Sequence, residues 1–288
     1  MTVTVPVEKL RERALQALSQ LPPFSPILNR LLTNLAREDA SFLTITDLIE
    51  KDTALAGNVL QLVNSALYGR RAAVNSVRHA VSLLGINKLR NAALSMSVTR
   101  LWNQVRIPSG WSMAMFNLHS VATATLSDML AQEGAVDYAE GAFAAGLFHD
   151  LGRLLIALGL PAEYAKIIAL HRTGLGSLCD CEQAVLGFTH SILAAEALAR
   201  WNLPAGIRTA VTEHDDPFVA PFDGVVRLSH VIGAADAYVS ALGYRIDDGP
   251  APPREEAAQR VQDLGLLRDA SEFLEGFAKE FEAVRSLF

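Results

Sequence analysis

The dipeptide His149-Asp150 lies inside GAFAAGLFHDLGRLLIALGL (141–160), a run that is otherwise almost wholly apolar. Burying two ionisable side chains is costly unless they are hydrogen-bonded, paired or bound to a metal. A fold that takes this run into its core must therefore bring polar partners to meet it. An imidazole beside a carboxylate is also a partial shell for a divalent cation. The rest of the chain is read for residues that could complete that shell.

The apolar half of the sequence is mostly Ala, Leu and Val, which favours helices over strands. Alternating strand-like stretches are almost lacking, and amphipathic segments are separated by Pro and Gly. The expected fold is all-α, with two packed helical subdomains. Asp52 is expected to cap a helix running to Ser65. Asn75 is expected to cap the next, with Val77, Ala80, Val81 and Leu84 as its stripe and Gly85 as its stop. RIPSG (106–110) marks the subdomain boundary. The division is 1–105 (N-terminal helical part), 106–246 (second helical subdomain) and 247–288 (a loop and docked helices). In the tail, Phe273, Phe277, Phe281 and Val284 form one stripe.

No apolar run reaches the eighteen or more charge-free residues a membrane span needs, and the first residues lack a signal-peptide layout. The expectation is a cytoplasmic protein. A net charge of −6 argues against general binding to a phosphate backbone, so no nucleic-acid partner is expected. The two cysteines, Cys179 and Cys181, read as reduced thiols in a loop.

Four further segments each place one ligand-type side chain on an apolar stripe. His119 aligns with Met115, Ala122 and Leu126, and His190 with Leu193, Ala194 and Ala197. His214 follows Ile207, Ala210 and Val211; Asp236 follows Leu228 and Ile232. With His149 and Asp150 they make a nitrogen and oxygen set suited to a divalent ion. Periodicity alone does not single them out, because His171 and His230 lie on stripes too. A histidine so placed, taken singly, is more often a satisfied core or capping residue. The case rests on the set and its order.

That order, His119, then His149-Asp150, then Asp236, resembles the H…HD…D pattern of HD-domain phosphohydrolases, and GLFHDLGRLL is similar to their central motif. His190 in GFTHSILAAEAL and His214 in AVTEHDDP resemble further positions of the HD-GYP branch. That branch usually has paired histidines where this chain has His214-Asp215, a Gly-Tyr-Pro signature that is absent here, and Lys where Arg153 stands. Cyclic di-GMP hydrolysis is therefore not implied. From Leu21 to about Tyr244 the chain resembles the HDOD family, the HD-related output domains of bacterial signalling proteins. The resemblance is carried by LPPFSPILNRLL, by LIEKDTALAGNVLQLVNSALYG with Asn64-Ser65-Ala66, by NSVRHAVSLLGINKLRNAAL, and by a block with Glu182, Gly187, His190, Trp201 and Pro204. Thr53 departs from the proline usual at its place.

The resemblance implies a signal-transduction module that acts by binding a protein partner or a nucleotide. His119, His149, Asp150 and Asp236 would hold a divalent metal (Fe, Mn, Zn, Mg or Ni), with His190 and His214 as additional ligands or holders of a second ion. The alternative is a metal-dependent phosphohydrolase on the retained site, with Asp150 and Arg153 in catalytic roles, Arg153 offering charge to a phosphate or else forming a salt bridge. No receiver, cyclase or DNA-binding domain is expected beside the module, so its input would come from another protein or a ligand.

Overall fold

The computed structural model describes residues 6–35, 42–64, 74–219 and 223–285. They form helices throughout, and no sheet occurs among them. A single parallel bridge pairs Val136 with Val226. In chain order the helices are α1 (Val7–Gln16), α2 (Pro26–Leu35), α3 (Phe42–Glu50), α4 (Thr53–Val63), α5 (Val77–Leu84), α6 (Ile86–Trp102), α7 (Met113–Ala131) and α8 (Ala142–Phe148). They continue as α9 (Leu151–Gly159), α10 (Pro161–His171), α11 (Leu178–Leu186), α12 (His190–Arg200), α13 (Ala205–Thr212), α14 (Leu228–Ala241), α15 (Arg254–Asp263) and α16 (Ala270–Val284).

The chain divides into two units, Met1–Leu21 with Val105–Ser271, and Pro22–Gln104 with Glu272–Phe288. Residues 1–21 thus group with the second half of the chain, not with the residues that follow them. The cause is local: α1 buries Leu10, Ala14 and Leu15. It also lies so close to the end of α9 that a Cβ on Gly159 would sit 2.8 Å from the Ala14 Cα.

In the unit of α2–α6, Asp52 caps α4, its side chain accepting from the Leu55 N–H. The cap of α5 is Ser76 and not Asn75, because the Ser76 hydroxyl accepts from His79 N–H at 3.1 Å. Gly85 ends α5 at φ 79°, a backbone angle that costs glycine least. Ser65 and Ala66 lie outside the described residues, as do the details of the Val284 side chain. In α16, Leu274, Phe277 and Phe281 are buried, and Lys88 reaches Glu280 at 2.6 Å.

The second unit is organised around the apolar run that opened the sequence. Every residue of α8 is buried, and α9 is buried from Leu151 to Ala157. Ala139–Gly159 is long and apolar enough, by length and composition, to cross a membrane; 94% of its most apolar window is buried inside the protein. The run is not one uninterrupted helix: it turns at His149-Asp150, where Asp150 takes φ −94°, ψ 7°. Helix α8 lies against α7 at Gly146, where a Cβ would stand 2.8 Å from the Ala124 Cα. Helix α7 in turn carries His119, and Ser112 caps it by accepting from Met115 N–H at 3.3 Å. Ser112→Ala is expected to cost about 1 kcal/mol in denaturant unfolding with little change in the site.

Candidate metal centre

Each of the four imidazoles is fixed by its Nδ1. His119 Nδ1 lies 2.8 Å from the Tyr244 carbonyl, His149 Nδ1 2.8 Å from that of Gly146, and His214 Nδ1 2.7 Å from that of Val211. His190 Nδ1 instead meets Glu182 Oε2 at 2.7 Å, and the same oxygen accepts from the His190 backbone N–H at 2.8 Å. All four acceptors require a proton on Nδ1, so all four Nε2 atoms are turned toward one another.

Those Nε2 atoms form two pairs. His119 and His149 are 3.2 Å apart; His190 and His214 are 3.4 Å apart. Asp150 stands between the pairs. Its Oδ2 is 3.3 Å from His119 Nε2, and its Oδ1 is 3.1 Å from His190 Nε2. Asp236 Oδ1 closes the first group at 3.2 Å from His119 Nε2 and 3.9 Å from His149 Nε2. Asp215 Oδ2 closes the second, 3.5 Å from both His190 and His214. The six sequence-designated residues His119, His149, Asp150, His190, His214 and Asp236 are thus brought into one cluster.

Arg153 is committed elsewhere than to a phosphate. It is buried, its Nη1 donates to both Asp150 oxygens at 2.7 and 2.8 Å, and its Nε donates to Glu182 at 3.1 Å. Its Nη2 lies 3.7 Å from Cys179 Sγ. Cys179 and Cys181 are free thiols, and burial pushes the Cys179 thiol up to about 11, so it carries no thiolate.

The charges in the cluster do not balance. Asp150, Glu182, Asp215 and Asp236 face only one permanent cation, Arg153. Protons on imidazole fill part of the gap. Burial would lower the His119 pKa, but the Asp150 and Asp236 carboxylates outweigh it and hold the ring up at about 10. His149 goes the other way: burial takes it down to about 4 despite the same carboxylates. Of two Nε2 atoms 3.2 Å apart, one therefore carries the proton and its neighbour presents a lone pair. For Asp150, burial favours the neutral acid, yet Arg153 and the surrounding histidines hold its carboxyl well below the ordinary range. Such a cluster stays anionic and nitrogen-rich, a donor set that fits a borderline or hard divalent ion.

Sequence reading did not give roles to Glu182 or Asp215. Asp215 had a signal, since His214-Asp215 repeats the His-Asp dipeptide of residues 149 and 150. Glu182 is a buried carboxylate that orients His190; the sequence marked it only as part of the block that resembles the HDOD family, without a role. The other stripe histidines serve elsewhere. His171 Nε2 lies 3.3 Å from Asp247, and the His230 ring packs on Phe218.

Comparison with known proteins agrees with this geometry at the level of fold. A crystal structure of an HDOD domain protein from Geobacter sulfurreducens superposes with a TM-score of 0.75 at 21% identity, covering 98% of this chain and 99% of that one. A Shewanella amazonensis protein provisionally named a phosphohydrolase gives 0.70 at 22% identity, over 96% of this chain and 97% of its own. A Marinobacter aquaeolei protein provisionally named for signal transduction gives 0.71 at 19%, over 97% of this chain and 64% of its own. A functionally uncharacterized curated protein of Treponema pallidum (strain Nichols) is 24% identical across 96% of this chain, which spans about half (52%) of that relative's length. The HDOD domain family matches residues 21–217, and the chain belongs to that family.

Proposed function

We propose that this chain is a cytoplasmic HDOD signalling module built around a divalent-cation centre, and that phosphate-bearing ligands bind at that centre. The observation that carries the reading is the orientation of the four imidazoles, each with Nδ1 turned out to an acceptor and Nε2 turned in toward Asp150. Donors fixed in this way are prepared for a cation before it arrives, because the outer hydrogen bonds set tautomer and ring direction. His119, His149, Asp150 and Asp236 would hold one ion; His190, His214 and Asp215, with Asp150 shared, would hold a second. The free thiols Cys179 and Cys181 and the burial of the apolar run support a cytoplasmic setting.

When bound, a divalent cation supplies the positive charge that draws in a phosphate ester and makes water a better nucleophile. The protein's own residues divide the remaining work. Glu182 holds His190 in place. Arg153 keeps Asp150 ionised and holds both of its oxygens in place through Nη1. The Gly146, Val211 and Tyr244 carbonyls fix the remaining rings. The signalling input would be the phosphate-bearing ligand or a protein partner that senses the loaded centre.

A second reading, a metal-dependent phosphohydrolase, is favoured by one feature. A cavity of about 350 Å³ reaches the cluster at Asp236, His214 and Asp215, so both groups have a face open to a ligand and to water. The two readings separate in one set of measurements. Metal analysis after dialysis against manganese or iron is expected to show at least one ion per chain. Glu182→Gln is expected to weaken that binding by about 10–100-fold in a chelator competition, since it removes the carboxylate that orients His190. A wild-type chain that retains no divalent ion would overturn the proposal. Metal-dependent turnover of phosphomonoesters or phosphodiesters would establish the second reading over the first.

A further inference from the structure

The cavity that reaches the cluster has a second end with different chemistry. One wall is α14, where His230, Gly233, Ala234 and Ala237 follow at helical spacing and Asp236 lines the cavity from the adjoining side. His230 and Asp236 are six positions apart, or ~9 Å along the axis at the α-helical rise. His230 is 7% exposed as a residue, but its ring nitrogens are not fully buried: they make no protein hydrogen bond among the described residues and open into the cavity. Burial lowers its pKa, so the ring is neutral and offers one donor and one acceptor. Its donor and its acceptor are therefore available to a ligand that enters the cavity. Beside it, Phe218 is a large apolar side chain left 42% exposed, its ring 5.0 Å from the His230 ring at 64°.

The charges of the cavity say which end of a ligand goes where. Asp216 and Asp263 line it, and the one lining cation, Arg260, is already engaged by Glu256 at 2.9 Å. A phosphate is repelled from that acidic end and has a seat only where cations are loaded, at Asp236, His214 and Asp215. What lies ~9 Å away along α14 must then be uncharged and flat enough to pack on Phe218. It must also carry donors and acceptors for His230. The two carboxylates suit hydroxyl or amino donors on the same ligand.

We infer that Phe218 and His230 form a recognition subsite for a planar heteroaromatic group, and that the ligand is a nucleoside monophosphate with its phosphate at the cation centre. This inference rests on the proposed cation centre and adds the ligand class and the residues that select it.

The test uses the full chain loaded with manganese, titrated by calorimetry with the four common ribonucleoside monophosphates, with ribose 5-phosphate and with inorganic phosphate. At least one nucleotide is expected to bind about tenfold or more tightly than ribose 5-phosphate, in line with base–aromatic stacking. Phe218→Ala and His230→Phe are each expected to reduce that advantage, about tenfold for the stacking ring and about fivefold for the hydrogen bond. Both should leave the affinities for manganese and for ribose 5-phosphate unchanged. Phe218 is partly exposed, so its variant tests the subsite without a core defect. If manganese and ribose 5-phosphate bind but no nucleotide binds better, the inference fails and the cation centre stands. It fails equally if both variants keep the full advantage. If manganese does not bind at all, the centre and the inference fall together.

Discussion

Asp150→Ala is expected to destabilise the chain by about 3–5 kcal/mol and to abolish divalent-cation binding. Arg153 is the reason for the first figure. Its side chain is 10% exposed, and Asp150 beside it is fully buried. Two charge-assisted hydrogen bonds from Nη1 run to the Asp150 oxygens, and without them the guanidinium keeps Glu182 and the Cys179 thiol as its hydrogen-bond partners. Removing one partner of a buried pair strands the other charge, and that stranded charge is the main cost. The retained contact to Glu182 places the loss toward the lower end of the range. The second effect follows from geometry, since the Asp150 oxygens lie 3.1–3.3 Å from an imidazole of each pair. Asp150→Asn separates the two effects. It keeps the shape and some of the hydrogen bonding, so it should unfold less readily than the alanine variant and still bind no cation. Urea unfolding of the metal-free protein, run beside manganese titration, measures both. An alanine variant within about 1 kcal/mol of wild type would show that Arg153 finds another partner, and the account of the buried pair would be wrong.

The parts of this molecule that were legible in the sequence were those set by local pattern. Ala-, Leu- and Val-rich amphipathic segments announced an all-α fold, and Asp52 and Gly85 announced the limits of their helices. Asn75 and Ser76 are adjacent and both are good caps, so composition could not choose between them; the helix starts one residue later than expected. Helical stripes aimed His119, His190 and Asp236 inward, but they aimed His171 and His230 inward as well; His214 was expected on the stripe of α13 and lies instead in the turn just past its end at Thr212. A stripe says which face is buried and nothing about what lies across it. What distinguishes the four cluster histidines is that their Nε2 atoms converge, since His171 also turns Nδ1 to a backbone carbonyl, that of Gly176 at 3.2 Å; three of the four Nδ1 acceptors in the cluster are likewise backbone carbonyls. Any residue type supplies a carbonyl, so no sequence pattern could have marked Gly146, Val211 or Tyr244 for that role. The break at His149-Asp150 was hidden for a related reason. The run is helical in character on both sides, and the turn places two side chains that point into the same cluster. The grouping of residues 1–21 with the later helices depends on a contact far along the chain, at Gly159.

Gly152→Ala is expected to be the most damaging change that removes no functional group. Gly152 is the second residue of α9, two positions after Asp150. A Cβ there would collide with the carbonyl oxygen of His190 and lie 2.7 Å from its carbonyl carbon. The obstacle is backbone at the first turn of α12, so no side-chain rotation relieves it; α9 and α12 must separate. Overpacking of this kind costs about 1–3 kcal/mol, occasionally more, and the gain of about 1 kcal/mol in helix propensity offsets only part of it. The separation also moves His190 from Asp150, whose contact is 3.1 Å. Ligand groups must be held within about 0.5 Å of their working positions, so cation affinity should fall further than stability does. Gly57→Ala is the control. Gly57 is an exposed residue within α4, and a Cβ there meets nothing within 4 Å. The same chemical change at that position should raise stability by about 0.5–1 kcal/mol and leave manganese binding untouched. Thermal unfolding of both variants, with and without manganese, gives the comparison. The close approach of α9 to His190 would lose its assigned role if Gly152→Ala proved as stable as wild type and bound manganese equally well.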